Sequence, residues 1–204
     1  MEVFDVIRER RSIRRYREEK INEETLRKIM EAARLAPSSS NIQSWKFIIV
    51  TSKELRRKLK DAARGQKFVE EAPVVIACCI DLEAFKEQSK QTIKLLLKGA
   101  LRPSLEMILK TLGVGGNSNL DAERQMVNAT INVSIASEHI VLAARNLGLG
   151  TCWIRAFEEE KVEEILALPE HLKVLALLTL GYPQESPSPR PRKTLEEITI
   201  WRTE

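Results

Sequence analysis

The sequence predicts an α+β sandwich folded as one domain, and three observations carry that expectation. Trp45–Thr51 is a compact apolar run rich in β-branched residues, and Pro73–Asp81, Leu149–Arg155 and Val174–Tyr182 are further apolar runs of strand length. Helical segments lie between these runs without strict alternation, which favours an α+β layering over a doubly wound sheet. The chain has 204 residues, 43% of them hydrophobic, enough for one sizeable core and too few for two comfortable ones.

In chain order, Val3–Arg10 reads as a short opening helix. Asn22 is placed to N-cap a second, with Glu23 and Glu24 in the first turn where the helix dipole favours acids. Leu26, Ile29, Met30 and Ala33 give it one apolar face, and Pro37 ends it. Ser52 caps a Lys/Arg-rich helix reaching about Arg64. Two helical pieces are expected within Ala84–Gly116, followed by a loop at Gly113–Asn119. Asp121 then caps a long helix to about Asn146, apolar round most of its circumference. Such a helix must be buried on most faces, in the core or against a second subunit. Glu158–Leu168 is a further helix. Pro183–Pro191 should run extended, and Leu195–Trp201 is an apolar segment, read as a strand with nothing local to pair with.

The net charge of +4 does not mark a nucleic-acid face, because basic residues alternate with Glu along the helices and aromatics reach only 5%. Cys78 and Cys79 lie in an apolar run, and Cys152 has no metal-type spacing to either, so a reducing, cytoplasmic setting is expected. The charged N-terminus does not read as a signal peptide, and no apolar run reaches the ~20 residues of a membrane span. Of the two histidines, His139 is expected to be a satisfied core or interface residue and His171 a solvated one. No metal site is expected. The glycines at 113, 115 and 116 follow no strand and read as a loop rather than a phosphate cradle.

Four segments are not explained by packing alone. Arg10-Arg11-Ser12-Ile13-Arg14-Arg15-Tyr16 crowds guanidinium and hydroxyl groups into a turn, either a phosphate site built on charge-assisted hydrogen bonds or a bare basic turn. Ala36–Trp45 sets hydroxyls and amides between a helix end and a strand, where they can hydrogen-bond a flat heteroaromatic ring or simply cap the helix. Gly148-Leu149-Gly150-Thr151 permits close backbone approach to a ligand, or marks a glycine helix stop. Pro187–Lys193 is a second basic cluster on a stiff arm, or a solvated tail.

In this order, R-R-S-x-R, P-S-S-x-N-x-Q-x-W, G-L-G-x-x-W, G-Y-P and a terminal R-x-R, the segments resemble the nitroreductase family of FMN enzymes over nearly the whole chain, Ala84–Leu120 excepted. The resemblance implies a three-layer sandwich, a central mixed or antiparallel sheet flanked by helices, in an intertwined homodimer with two flavins at its interface. It implies that Arg10, Ser12 and Arg14 hold the FMN phosphate and ribityl chain, with Arg11 contributing locally and Arg190 and Arg192 as a second phosphate-binding pair. Pro37, Ser38, Ser39 and Asn41, with Gln43 beside them, match positions that contact the flavin from the partner subunit. Leu149, Gly150 and Thr151 match the backbone against the isoalloxazine ring. Ser44 stands where the family usually has Pro, a departure expected to change the loop little.

The implied activity is ping-pong hydride transfer from NADH or NADPH, through FMN, to a small electrophile such as a nitroaromatic or quinone, with no side chain as obligatory general acid. Ala84–Leu120 falls on the family's variable substrate-covering segment. A branch resembling iodotyrosine deiodinase is the alternative, with Glu87, Lys90 and Lys94 as candidate grips, and a non-catalytic flavin-binding protein is another.

Overall fold

The computed structural model describes residues 2–99 and 122–203. Four strands, β1 (Trp45–Val50), β2 (Val74–Asp81), β3 (Gly150–Ile154) and β4 (Leu172–Gly181), form one sheet in the order β1-β2-β4-β3, every neighbouring pair antiparallel. Trp45 faces Ile80 and Val50 faces Val75 across β1 and β2. A register shift at Cys78/Cys79 marks a bulge between β2 and β4.

Helices cover both faces, and this is why β2 reads as an unbroken apolar run: a strand buried on both sides needs no polar alternation. On one face Ile76, Cys78, Leu178 and Leu180 pack against Ile29 and Ala33 of α2 (Glu23–Arg34) and Val133, Ala136 and Ile140 of the long helix α6 (Ala122–Asn146). On the other, Val75, Ala77, Cys79 and Leu177 meet Leu59 of α3 (Lys53–Ala62), Val69 of α4 (Phe68–Glu71) and Val162 of α7 (Glu159–Ile165). The result is the three-layer sandwich expected. Burial pushes the thiols of Cys78 and Cys79 up to about 12, so both stay protonated as small core hydrophobes.

The expected caps form. The Asn22 side chain accepts from Thr25 N at 2.7 Å, and Ser52 Oγ accepts from Leu55 N at 3.3 Å. Gly148, at φ 79°, ends α6 with Leu149 N donating to Ala144 O at 2.8 Å, the glycine stop that hands the chain to β3. His139 sits half-buried with Nδ1 3.1 Å from Ala32 O, while His171 is not simply solvated: its Nε2 lies 3.9 Å from Glu83. After β2 the chain forms a short 3-10 turn (Leu82–Glu87) and α5 (Gln88–Leu97); residues 100–121, with the expected Asp121 cap and the Gly113–Asn119 loop, lie outside the described residues.

One expectation needs correction. Leu195–Trp201 is not a strand: Leu195–Ile198 is one helical turn, α8, closed by a capping box in which Thr194 and Glu197 satisfy each other's main-chain N–H groups. Ile200 and Trp201 follow in extended chain, 82% and 78% exposed. Of the two covers expected for the long helix α6, the core of this chain takes one side, and Met126, Val127 and Ile131 on the other are exposed within the chain.

Candidate functional site

The basic turn begins where α1 (Val3–Glu9) stops. Arg11 folds back so that Nη1 donates to the carbonyls of Arg8 and Arg10, both at 2.7 Å, satisfying groups at the helix end. Beyond it the backbone is extended and stitched on both sides. Ser12 bridges Thr151 in parallel, Ile13 N donates to Thr151 O at 2.9 Å, Arg17 N donates to Tyr182 O and Gln184 N to Arg15 O, each at 2.9 Å. Tyr16 turns inward, its hydroxyl 2.6 Å from Ile13 O and 2.7 Å from Thr179 Oγ1; burial raises its pKa well above the usual phenol range.

These pairings bring the two ends of the chain together. Arg10, Ser12 and Arg14 line a cavity of about 400 Å³ whose far wall carries Arg190 and Arg192, and among the described residues no carboxylate lines it. A second cavity, of about 80 Å³, adjoins it between Arg10, Arg11 and Leu149–Thr151. Cys152 lies beneath the turn, its thiol raised by burial and partly drawn back by Arg14 and the Ser12 hydroxyl. Gly150 is explained by packing: a Cβ there would stand 2.5 Å from Cγ1 of Ile13, so the missing side chain lets the turn lie against β3. The Leu149 side chain is buried in the core, leaving only backbone to face the cavity.

A larger cavity, of about 880 Å³, lies between Arg17–Ile21, α3 and α4. Its cations are interspersed with Glu18, Glu19, Glu70 and Glu71, and Lys60 is paired to Glu70 at 2.8 Å. That mixture of signs does not suit a dianion as the first cavity does.

The amide loop is held elsewhere. Ser40, Asn41 and Gln43 adopt left-handed backbone at φ 49°, 53° and 51°, uncommon for residues with a Cβ. Ser38 Oγ accepts from Gln43 N at 3.0 Å. Asn132 of α6 anchors the loop, its Oδ1 accepting from Ser39 N and its Nδ2 donating to Ser44 Oγ, both at 3.1 Å. Ser44 is therefore not a neutral departure: it is fully buried in a polar contact that proline could not make. Pro37, Ser38, Ser39, Asn41 and Gln43 line neither arginine cavity, so one chain unites the two arginine groups and the glycine stretch but not this loop.

Sequence reasoning missed three residues. Glu185 accepts from the main chain of the basic turn, and Arg145 pairs with Glu9 at 2.5 Å beside the smaller cavity. Asn132 had a readable signal, a polar residue inside an apolar helix.

The model of the nitroreductase family matches residues 7–182. The chain belongs to the nitroreductase family. It is 36% identical over 193 residues to an NADH dehydrogenase of Thermus thermophilus, covering 95% of this chain and 92% of that one. To the FMN reductase [NAD(P)H] of Bacillus subtilis it is 31% identical, covering 99% and 74%. A family structure from Exiguobacterium sibiricum, solved in complex with FMN, superposes with a TM-score of 0.83 at 27% identity, covering 99% and 98%. Among the described residues of this nitroreductase-family chain, no helix is long and apolar enough to cross a membrane.

Proposed function

We propose that the chain is a single-domain, homodimeric NAD(P)H-dependent FMN oxidoreductase of the cytoplasm. When bound, FMN supplies the redox chemistry, taking hydride from reduced nicotinamide and passing it in ping-pong order to a small electrophile such as a nitroaromatic or quinone. The observation that carries this reading is the cavity, lined by no carboxylate among the described residues, in which Arg10, Ser12 and Arg14 meet Arg190 and Arg192. Guanidinium groups and a hydroxyl converging from two directions suit a phosphate dianion.

In this reading the arginines and Ser12 fix the phosphate. The main chain of Leu149–Thr151 borders the path from the phosphate towards the ring, and Gly150 lets the basic turn lie against it. Cys152 and Tyr16 are held protonated by burial and move no proton at neutral pH. Three features support the dimer: the exposed apolar strip Met126, Val127 and Ile131, the exposed Ile200 and Trp201, and an amide loop that lines neither arginine cavity of its own chain. In a dimer, Pro37, Ser38, Ser39, Asn41 and Gln43 complete the partner's site. Three buried free thiols suit a reducing compartment.

The test is the visible spectrum of the purified protein, reconstituted with FMN if colourless, before and after anaerobic addition of NADH or NADPH. The expected result is a yellow protein that either nucleotide bleaches and a nitroaromatic or quinone restores. Failure to take up FMN ends the proposal, and FMN that neither nucleotide reduces leaves a binding protein.

A further inference from the structure

The arm that carries Arg190 and Arg192 leaves the sheet at the end of β4 and is tied to the basic turn for only a few residues. Tyr16 bridges Pro183, Gln184 N donates to Arg15 O, and the Glu185 carboxylate accepts from Arg14 N at 2.5 Å and from Arg15 N at 3.2 Å. Past Glu185 the arm's hydrogen bonds are internal as far as Arg192, whose guanidinium donates to the carbonyls of Arg190 and Pro191. Glu185 is thus the last tie between the two arginine-bearing segments among the described residues.

A carboxylate in this place is electrostatically unexpected. It borders the smaller cavity beside Arg10 and Arg11, where its charge opposes any phosphate held by those arginines. Charge-assisted acceptance from two main-chain N–H groups is a reason for it to stand there. Resting on the FMN reading above, we propose that Glu185 is a positioning residue of the phosphate site, a latch that fixes Arg190 and Arg192 opposite Arg10 and Arg14 and so sets affinity for the phosphate rather than for the flavin ring.

Latch and repulsion predict opposite signs. If the carboxylate acts only by its charge, both Glu185→Ala and Glu185→Gln tighten FMN binding. If it acts as a latch, Glu185→Ala weakens it, whereas Glu185→Gln keeps an acceptor oxygen, loses the repulsion and binds at least as tightly as the wild type.

The experiment titrates flavin-free full-length protein and its variants with FMN and with riboflavin, which lacks the phosphate, following flavin fluorescence. Glu185→Ala should weaken FMN on the order of tenfold and leave riboflavin within about twofold. Unchanged or tighter FMN binding by Glu185→Ala overturns the latch, and so does parallel weakening of riboflavin, which marks a general structural role. Should Glu185→Ala not fold, Glu185→Asp decides: it keeps the charge but is one methylene short of both N–H groups, so it must bind FMN more weakly than the wild type, and FMN binding equal to or tighter than the wild type overturns the proposal. A wild type that binds FMN no tighter than riboflavin overturns the phosphate site itself, and the latch with it.

Discussion

The turn at Arg10–Arg14 and the loop at Pro37–Gln43 are both polar and both proposed to hold the flavin, yet they are built on different principles. The turn has ordinary extended backbone, paired to β3 on one side and to the C-terminal arm on the other. Its side chains are therefore free to meet Arg190 and Arg192 within one chain. The loop has three left-handed residues within the four positions Ser40–Gln43 and one buried side chain, Asn132, to hold it. Left-handed backbone costs roughly 1 kcal/mol per residue with a Cβ, and such strain persists where the surroundings over-determine it, often at ligand sites. On the proposed function the contrast separates two tasks: long-range pairing gathers like charges for one anion, while a strained loop presents polar groups to a second chain.

The largest expected effect comes from dividing those tasks between two variants. Arg14→Ala/Arg192→Ala should give folded protein without flavin, because two of the converging guanidinium groups are gone and the main-chain pairing of the turn is kept. Ser39→Glu/Asn41→Glu should also lose flavin, through carboxylates added where the proposed partner's ring lies. Unfolding the two together and refolding the mixture should then restore flavin to roughly a quarter of sites, since half the dimers are mixed and each has one intact site. No recovery would show that the loop does not serve a second subunit, and flavin retained by the arginine double variant would place the phosphate elsewhere.

The same contrast marks what was legible in the sequence. Strands β1 to β4 were readable because runs buried on both faces are apolar throughout, and the Asn22 and Ser52 caps and the Gly148 stop are local signals. The cradle was readable as chemistry, since guanidinium groups and a hydroxyl crowded into one turn suit a phosphate, although the convergence with Arg190 and Arg192 needed the family resemblance. The sequence was less legible where the cause was distant or two local signals competed. Gly150 has a cause that the sequence hides, since Ile13, far along the chain, excludes its Cβ. The spacing of Leu195, Ile198 and Ile200 suggested a strand, while Thr194 and Glu197 already spelled the capping box that forms. Glu185 was invisible because its acceptors' partners are main-chain groups, which carry no sequence signature.

A smaller effect is expected from Asn132→Ala, which acts on the loop alone. It leaves Ser44 Oγ and Ser39 N without their partner, and Ser44 is fully buried, so stability should fall by about 1–3 kcal/mol in denaturant unfolding. The arginine cradle is untouched, and FMN and riboflavin should weaken together in fluorescence titrations, the opposite of the Glu185→Ala pattern. Selective loss of FMN over riboflavin would mean that the loop and the phosphate site are one unit, and the comparison would fail.

The smallest effect should come from Tyr16→Phe, which asks whether the turn is held by its backbone or by a phenol. The hydroxyl serves Ile13 O and Thr179 Oγ1, and Thr179 keeps a longer bond to Cys152 O at 3.5 Å, so the loss at neutral pH should be about 1 kcal/mol. FMN affinity should move little, because the Ile13–Thr151 and Glu185 contacts remain. The pH dependence supplies an independent check. Burial raises the folded-state phenol pKa above its unfolded value, so the contribution of Tyr16 is fully present below about pH 10 and falls as pH rises beyond it. The stability gap between wild type and Tyr16→Phe should therefore be flat from about pH 6 to 9 and close above about pH 10, at up to about 1.4 kcal/mol per unit. A gap that instead widened in alkali would show an ionised phenolate stabilised by Arg14, and the turn would then rest on charge rather than on its main-chain pairing.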